Sequence, residues 1–134
     1  MAPFVIHRGI PLYGGVLHVV FGDTFQQCGS ALPKRLSGLF TKDELSQFGA
    51  GAMTNADGEG GNVVILFTRE QVKPQIVAHE AVHAALDVLA NVGVGPMDDK
   101  NDEAYAYLVS WIVEVIQKAV LKNGQLKQKG GRYG

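Results

Sequence analysis

The sequence predicts an α+β fold, with a small, mostly antiparallel sheet of about four strands packed against two long helices. Two observations carry that expectation. The first half of the chain sets short runs of β-branched and aromatic residues between glycines and prolines, and the second half carries apolar residues at helical spacing. Strands come first and helices last, which is the order expected when both helices pack on one face of the sheet.

The strand runs are Phe4 to His7 and Val16 to Phe21, with Gly9, Pro11, Gly14 and Gly15 between them. That arrangement predicts a hairpin with a long connection. Leu32 to Phe48 then predicts one short helix, where Thr41 followed by Glu44 fits a capping box. Gly49 to Gly61 is rich in glycine, and Asn55, Ala56, Asp57 and Gly58 are expected to form a turn. With the apolar run Val63 to Phe67, Gly51 to Phe67 reads as a second hairpin.

Pro74 suits the first turn of a helix, where its missing N–H costs nothing. Apolar positions follow at Ile76, Val77, Val82, Leu86 and Leu89, and Gly93 is the expected stop. A second helix is predicted from about Lys100 to Lys122, capped by Asp99 and buried through Leu108, Trp111, Ile112, Val115 and Ile116. Residues 1–122 form a single domain on this reading, and 123–134 a flexible basic tail.

The 134 residues are 46% hydrophobic and 19% charged with a net charge of −1, which suits one soluble globular domain. So small a charge gives no field to attract nucleic acid or an anionic membrane, and neither is an expected partner. No uninterrupted apolar run reaches the roughly 18 residues that span a bilayer. Met1 to Gly9 has no basic segment leading into an apolar one, and Cys28 is the lone cysteine. A cytoplasmic location is therefore expected. Cys28 itself reads as a small packed residue.

His79-Glu80-Ala81-Val82-His83 is an H-E-x-x-H motif inside the first long helix. Four residues make slightly more than one turn, so both imidazoles leave the same face and can share one Zn²⁺. Glu80 is rotated about 100° from His79, which suits a base beside the ion better than a ligand to it. At this chain's own His and Glu frequencies, roughly one such chain in two hundred would carry the motif by chance. The spacing therefore carries weight.

A catalytic zinc site usually has three protein ligands and an open fourth position. Candidates for the third are Asp87, Asp98, Asp99, Asp102 and Glu103. Asp87 stands one turn beyond His83, in line with both histidines, and reads either as an acceptor for a histidine N–H or as a solvated carboxylate. Asp98 and Asp99 read as loop and cap residues. Glu103 is preferred because the next helix can return it toward the histidines, although an acid at a helix start is also favoured by the dipole.

Taken together, these residues resemble the gluzincin-type zinc peptidases, in which a helical H-E-x-x-H is followed by a glutamate on the next helix. Asp102-Glu103-Ala104-Tyr105-Ala106-Tyr107 is similar to a segment of the ImmA/IrrE-like family and of small zincins encoded by phages and prophages. The resemblance covers about Ile76 to Trp111. It implies that His79, His83 and Glu103 hold Zn²⁺ and that Glu80 is the catalytic base. Tyr105 stands where that family has asparagine and Val82 where it usually has glycine, and no added DNA-binding domain is expected.

The implied function is a zinc-dependent hydrolase, a peptidase acting on a protein or peptide by way of an activated water. Tyr107, one turn past Glu103, is the first candidate for stabilising the oxyanion, with a packing role as the alternative. The competing reading is a non-catalytic zincin-fold binding module or a virion-associated phage protein. Three other signals have structural readings. His7 and His18 read as satisfied strand residues. Asn55, Asp57, Glu59 and Gly60 open like a calcium loop but meet Leu66 where a bidentate glutamate is required. Lys118, Lys122, Lys127, Lys129 and Arg132 read as a solvated basic end.

Overall fold

The computed structural model describes residues 2–47 and 51–130, the side chains of 125–130 excepted. Expectations for 1, 48–50 and 131–134, including the last part of the basic tail, lie outside the described residues. Four strands, β1 (Phe4–Gly9), β2 (Val16–Gly22), β3 (Ala52–Asp57) and β4 (Asn62–Thr68), form one sheet in the order β1-β2-β4-β3. Both expected hairpins are present and antiparallel. They are joined by a parallel pairing of β2 with β4, in which Val19 faces Ile65 and Val20 faces Leu66. The sheet is therefore mixed, with β1 and β3 at its edges.

The two central strands are almost continuously apolar because both of their faces are covered. On one face Leu17, Val19, Phe21, Val63, Ile65 and Phe67 join the core shared with the long helices. On the other face Val20, Val64 and Leu66 meet Phe25, Cys28, Leu32, Leu36 and Phe40. The sequence reading placed the two long helices on one face, and this second layer, which it did not anticipate, covers the other. It is built from helix α1 (Phe25–Ser30), a 3-10 segment Lys34–Leu39 and helix α2 (Lys42–Leu45).

These pieces are too short to show a helical period, so their signals are local. The Thr24 hydroxyl accepts from the Gln27 N–H to start α1. Thr41 and Glu44 form the expected capping box at α2. Cys28 packs in this layer with its thiol donating to the Phe67 carbonyl at 3.4 Å, and burial pushes the thiol pKa up to about 11. Such a thiol is inert at neutral pH.

The turn of the second hairpin lies later than expected. Asn55, Ala56 and Asp57 belong to β3, and the reversal occupies 58–61. There the Asp57 carboxylate accepts from the Gly60 N–H, and Gly61 takes a positive φ of 68°. Gly15 has φ +83°, and a Cβ on it would run into the Gly61 carbonyl oxygen. That close approach lets the Val16 N–H donate to Gly61 O at 2.9 Å, joining the two hairpins where the parallel pairing begins.

Helix α3 (Pro74–Asn91) begins with Pro74 in its first turn and ends before Gly93, whose φ of 83° is the expected left-handed stop. Helix α4 (Asp102–Gly130) runs on past Lys122, where the sequence reading ended it. Asp99 does not cap it as expected. Instead, the preceding turn is held by Asp98 and Asn101, each accepting a backbone N–H near the other. Helix α3 lies against β3 and β4, and α4 packs chiefly on α3.

By averaged composition, Asp102–Gly124 is long and apolar enough to cross a bilayer. A core helix passes the same test, and here Leu108, Ile112 and Ile116 are buried in the core.

Candidate metal centre

Two residue sets on α3 divide the helix. Val77, Ala81, Ala84, Ala85, Val88 and Leu89 are buried, and they turn the opposite surface of the helix toward solvent. His79 and His83 stand on that solvent surface, which is where a spacing of four residues places them together. Their Nε2 atoms are 3.1 Å apart.

This separation tests whether one cation fits. Two bonds of about 2.05 Å to atoms 3.1 Å apart subtend about 98° at the ion, and a tetrahedral angle needs only about 0.3 Å more separation. The two nitrogens therefore fit as neighbouring ligands of one Zn²⁺.

Glu80 is rotated toward the body of the protein and is only 7% exposed. Its carboxylate lies where α3 meets the edge strand β3. The Thr54 hydroxyl of β3 donates to Glu80 Oε1 at 2.6 Å. The other oxygen, Oε2, lies 4.0 Å from His79 Nε2, too far for a hydrogen bond and close enough to share a small molecule with an ion there. One oxygen is held and the other is left facing the histidine side. Gly51, Ala52, Gln75, Ile76, His79 and Glu80 line an open depression over this point.

Sequence reasoning did not single out Thr54. It lies twenty-six positions from Glu80, and only the packing of α3 on β3 brings the two together.

Asp87, one turn beyond His83, is half-buried. Burial raises its carboxyl pKa, and the nearby His83 opposes that shift.

Glu103 and Tyr107 sit differently from the histidine pair. The buried face of α4 is set by Tyr105, Leu108, Ile112, Ile116 and Ala119. At 100° per residue this register turns residues 103 and 107 to the far side of the helix, and both are exposed. Tyr107 lines a separate shallow groove with Ser110, Trp111, Glu114 and Gln117. Among the described residues, no group of three or more His, Cys, Asp or Glu side chains is gathered to hold a metal ion. The structure thus brings His79, His83 and Glu80 together and leaves Glu103 and Tyr107 outside that cluster.

The fold defines an α+β protein with a mixed four-stranded sheet covered on both faces. Compared with protein-family models, curated proteins and solved structures, the chain shows no match.

Proposed function

We propose that this chain is a zinc-dependent hydrolase, a peptidase in which His79 and His83 hold the ion and Glu80 is the general base. The observation that carries the reading is the pairing of two convergent imidazoles with a buried carboxylate restrained at one oxygen. A zinc ion supplies Lewis acidity, polarising a substrate carbonyl and making water easier to deprotonate. Glu80 Oε2 accepts the proton from that water and returns it to the leaving amine. The Thr54 hydroxyl keeps the carboxylate turned the right way while it does so.

An extended peptide is the substrate class that suits this position. Strand β3 is a sheet edge, and Gly51 and Ala52 at its start line the depression beside His79 and Glu80. A free edge can pair with an incoming strand through main-chain hydrogen bonds. Glu103 is the acid proposed to complete the ligand set, as the resemblance to gluzincins implies; its side chain is exposed at the start of α4, and coordination requires that this end of the helix turn from the register its buried face sets. Tyr107, one turn past Glu103 on α4, is retained as the proposed oxyanion donor. The cytoplasm is the proposed location, that of the host cell if the chain is phage-encoded.

A second reading is favoured by the position of Glu103 on the far face of α4. With the histidine pair alone, the chain is a non-catalytic metal-dependent binding module, or a virion-associated component that keeps the ion for stability. Zinc content by elemental analysis, followed by turnover of a peptide library with and without chelator, separates the two. In the hydrolase reading Glu80→Gln retains zinc and loses about 10²–10⁴-fold in turnover. Full activity in that variant refutes the mechanism, and bound zinc without any hydrolysis favours the binding module.

A further inference from the structure

On the opposite face of the sheet from α3, three side chains form a hydrogen-bonded series that the proposed hydrolysis does not use. His7 on β1 and His18 on β2 are direct cross-strand partners. Their Nδ1 atoms are 2.7 Å apart. His18 Nε2 lies 2.8 Å from Asn62 Oδ1, and the Asn62 amide donates to the Gly60 carbonyl at 3.3 Å.

That last contact decides the protonation pattern. It turns the Asn62 oxygen toward His18, so His18 carries its proton on Nε2, and its Nδ1 accepts the His7 Nδ1–H. His18 is 1% exposed, whereas His7 lies at the surface. Tying one ring nitrogen of a buried imidazole to an acceptor, which leaves the other unprotonated beside a surface imidazole, is how proteins orient histidines that bind metals.

The geometry points to a second cation site here: His7 and His18 as a two-imidazole chelate for a divalent ion of tetragonal preference, Cu(II) or Ni(II), completed by water. The separation selects the class of ion. With bonds of about 2.0 Å, nitrogens 2.7 Å apart subtend about 85°, close to the right angle between neighbouring ligands in a tetragonal ion. A tetrahedral zinc ion would require about 3.3 Å. Loading needs neutral His7 to move its proton from Nδ1 to Nε2 through solvent, which releases no net proton, and the two rings to turn so that their Nδ1 lone pairs converge on the ion instead of on each other. Burial lowers the His18 imidazole pKa, the Asn62 hydrogen bond opposes that shift, and a protonated His7 and, last, the charge of Arg35 add to it. That same charge opposes a bound cation and limits the affinity.

The composition of the chain makes a clean test available. It has four histidines, His7, His18, His79 and His83, so the double variant His79→Ala, His83→Ala leaves only this pair. Both replaced side chains are exposed and lie outside the core. Copper(II) titrated into the double variant is expected to bind one equivalent, with an electron paramagnetic resonance spectrum showing two coordinated nitrogens. Adding His7→Ala, another exposed position, is expected to weaken that binding by about 100-fold, the loss expected when a chelate becomes a single ligand. Three results overturn the assignment: no nitrogen-coordinated copper in the double variant, a single coordinated nitrogen, or a loss of less than tenfold on adding His7→Ala.

Discussion

The Thr54 hydroxyl donates a 2.6 Å hydrogen bond to Glu80 Oε1, which ties the edge strand of the sheet to the acid of the H-E-x-x-H helix. A hydrogen bond to a charged group contributes about 1.5–3 kcal/mol, and about 1.4 kcal/mol is tenfold in rate. Thr54→Val is therefore expected to lower kcat about tenfold while leaving zinc content unchanged. Thr54→Ser, which keeps the hydroxyl, is expected to restore it. The kcat and KM values, with a pH profile of kcat, distinguish a lost orientation of Glu80 from a general loss of structure.

The position of Glu103 makes a sharp expectation about the ligand set. If this carboxylate completes the site, Glu103→Gln weakens zinc binding and Glu114→Gln, on the same helix, does not. Competition with a chromophoric chelator measures both. Equal affinity in the two variants assigns the ion to the histidine pair alone, consistent with the register that turns Glu103 away from α3.

Burial of His18 gives the stability of the protein a dependence on pH. Burial, the largest cause, and the charges of His7 and Arg35 lower its pKa, and the Asn62 hydrogen bond opposes them in part. The unfolded chain therefore takes up the proton more readily than the folded one. Stability is full above the ordinary histidine value of about 6.5 and is lost as pH falls through the lower folded value, by up to about 1.4 kcal/mol per pH unit. Urea unfolding at pH 7.5 and 5.5 checks this, and His18→Gln is expected to flatten the difference. Asp87, whose pKa is raised, acts in the opposite sense at lower pH.

The packing of α4 rests on a few side chains, of which Leu108 is fully buried. Leu108→Ala is expected to cost about 2–5 kcal/mol, the range for emptying a leucine site in a core. Leu121→Ala, on an exposed position of the same helix, is expected to change stability by less than about 0.5 kcal/mol. Chemical denaturation of both variants measures the contrast.

Much of this was legible along the chain because its causes are local. Four residues on a helix place His79 and His83 on one face whatever surrounds them, and Pro74, Gly93 and the Thr41–Glu44 box act within a turn of their own positions. The two hairpins follow from runs of β-branched residues separated by glycines. The short helices between β2 and β3 were less legible because pieces of four to six residues carry no repeating period.

What only the tertiary structure decided depends on distance through space. The parallel pairing of β2 with β4, the second layer over the sheet and the contact of Thr54 with Glu80 each join residues far apart in the chain. The rotation of Glu103 away from the histidines is of the same kind. A helix start allows that carboxylate to face several ways, and the buried register of Tyr105, Leu108, Ile112 and Ile116 chooses among them. The sequence alone determined which side chains could meet an ion from one helix, because backbone geometry is the same everywhere. The packing determined which other residues stand beside them, because burial of apolar surface sets how whole elements turn.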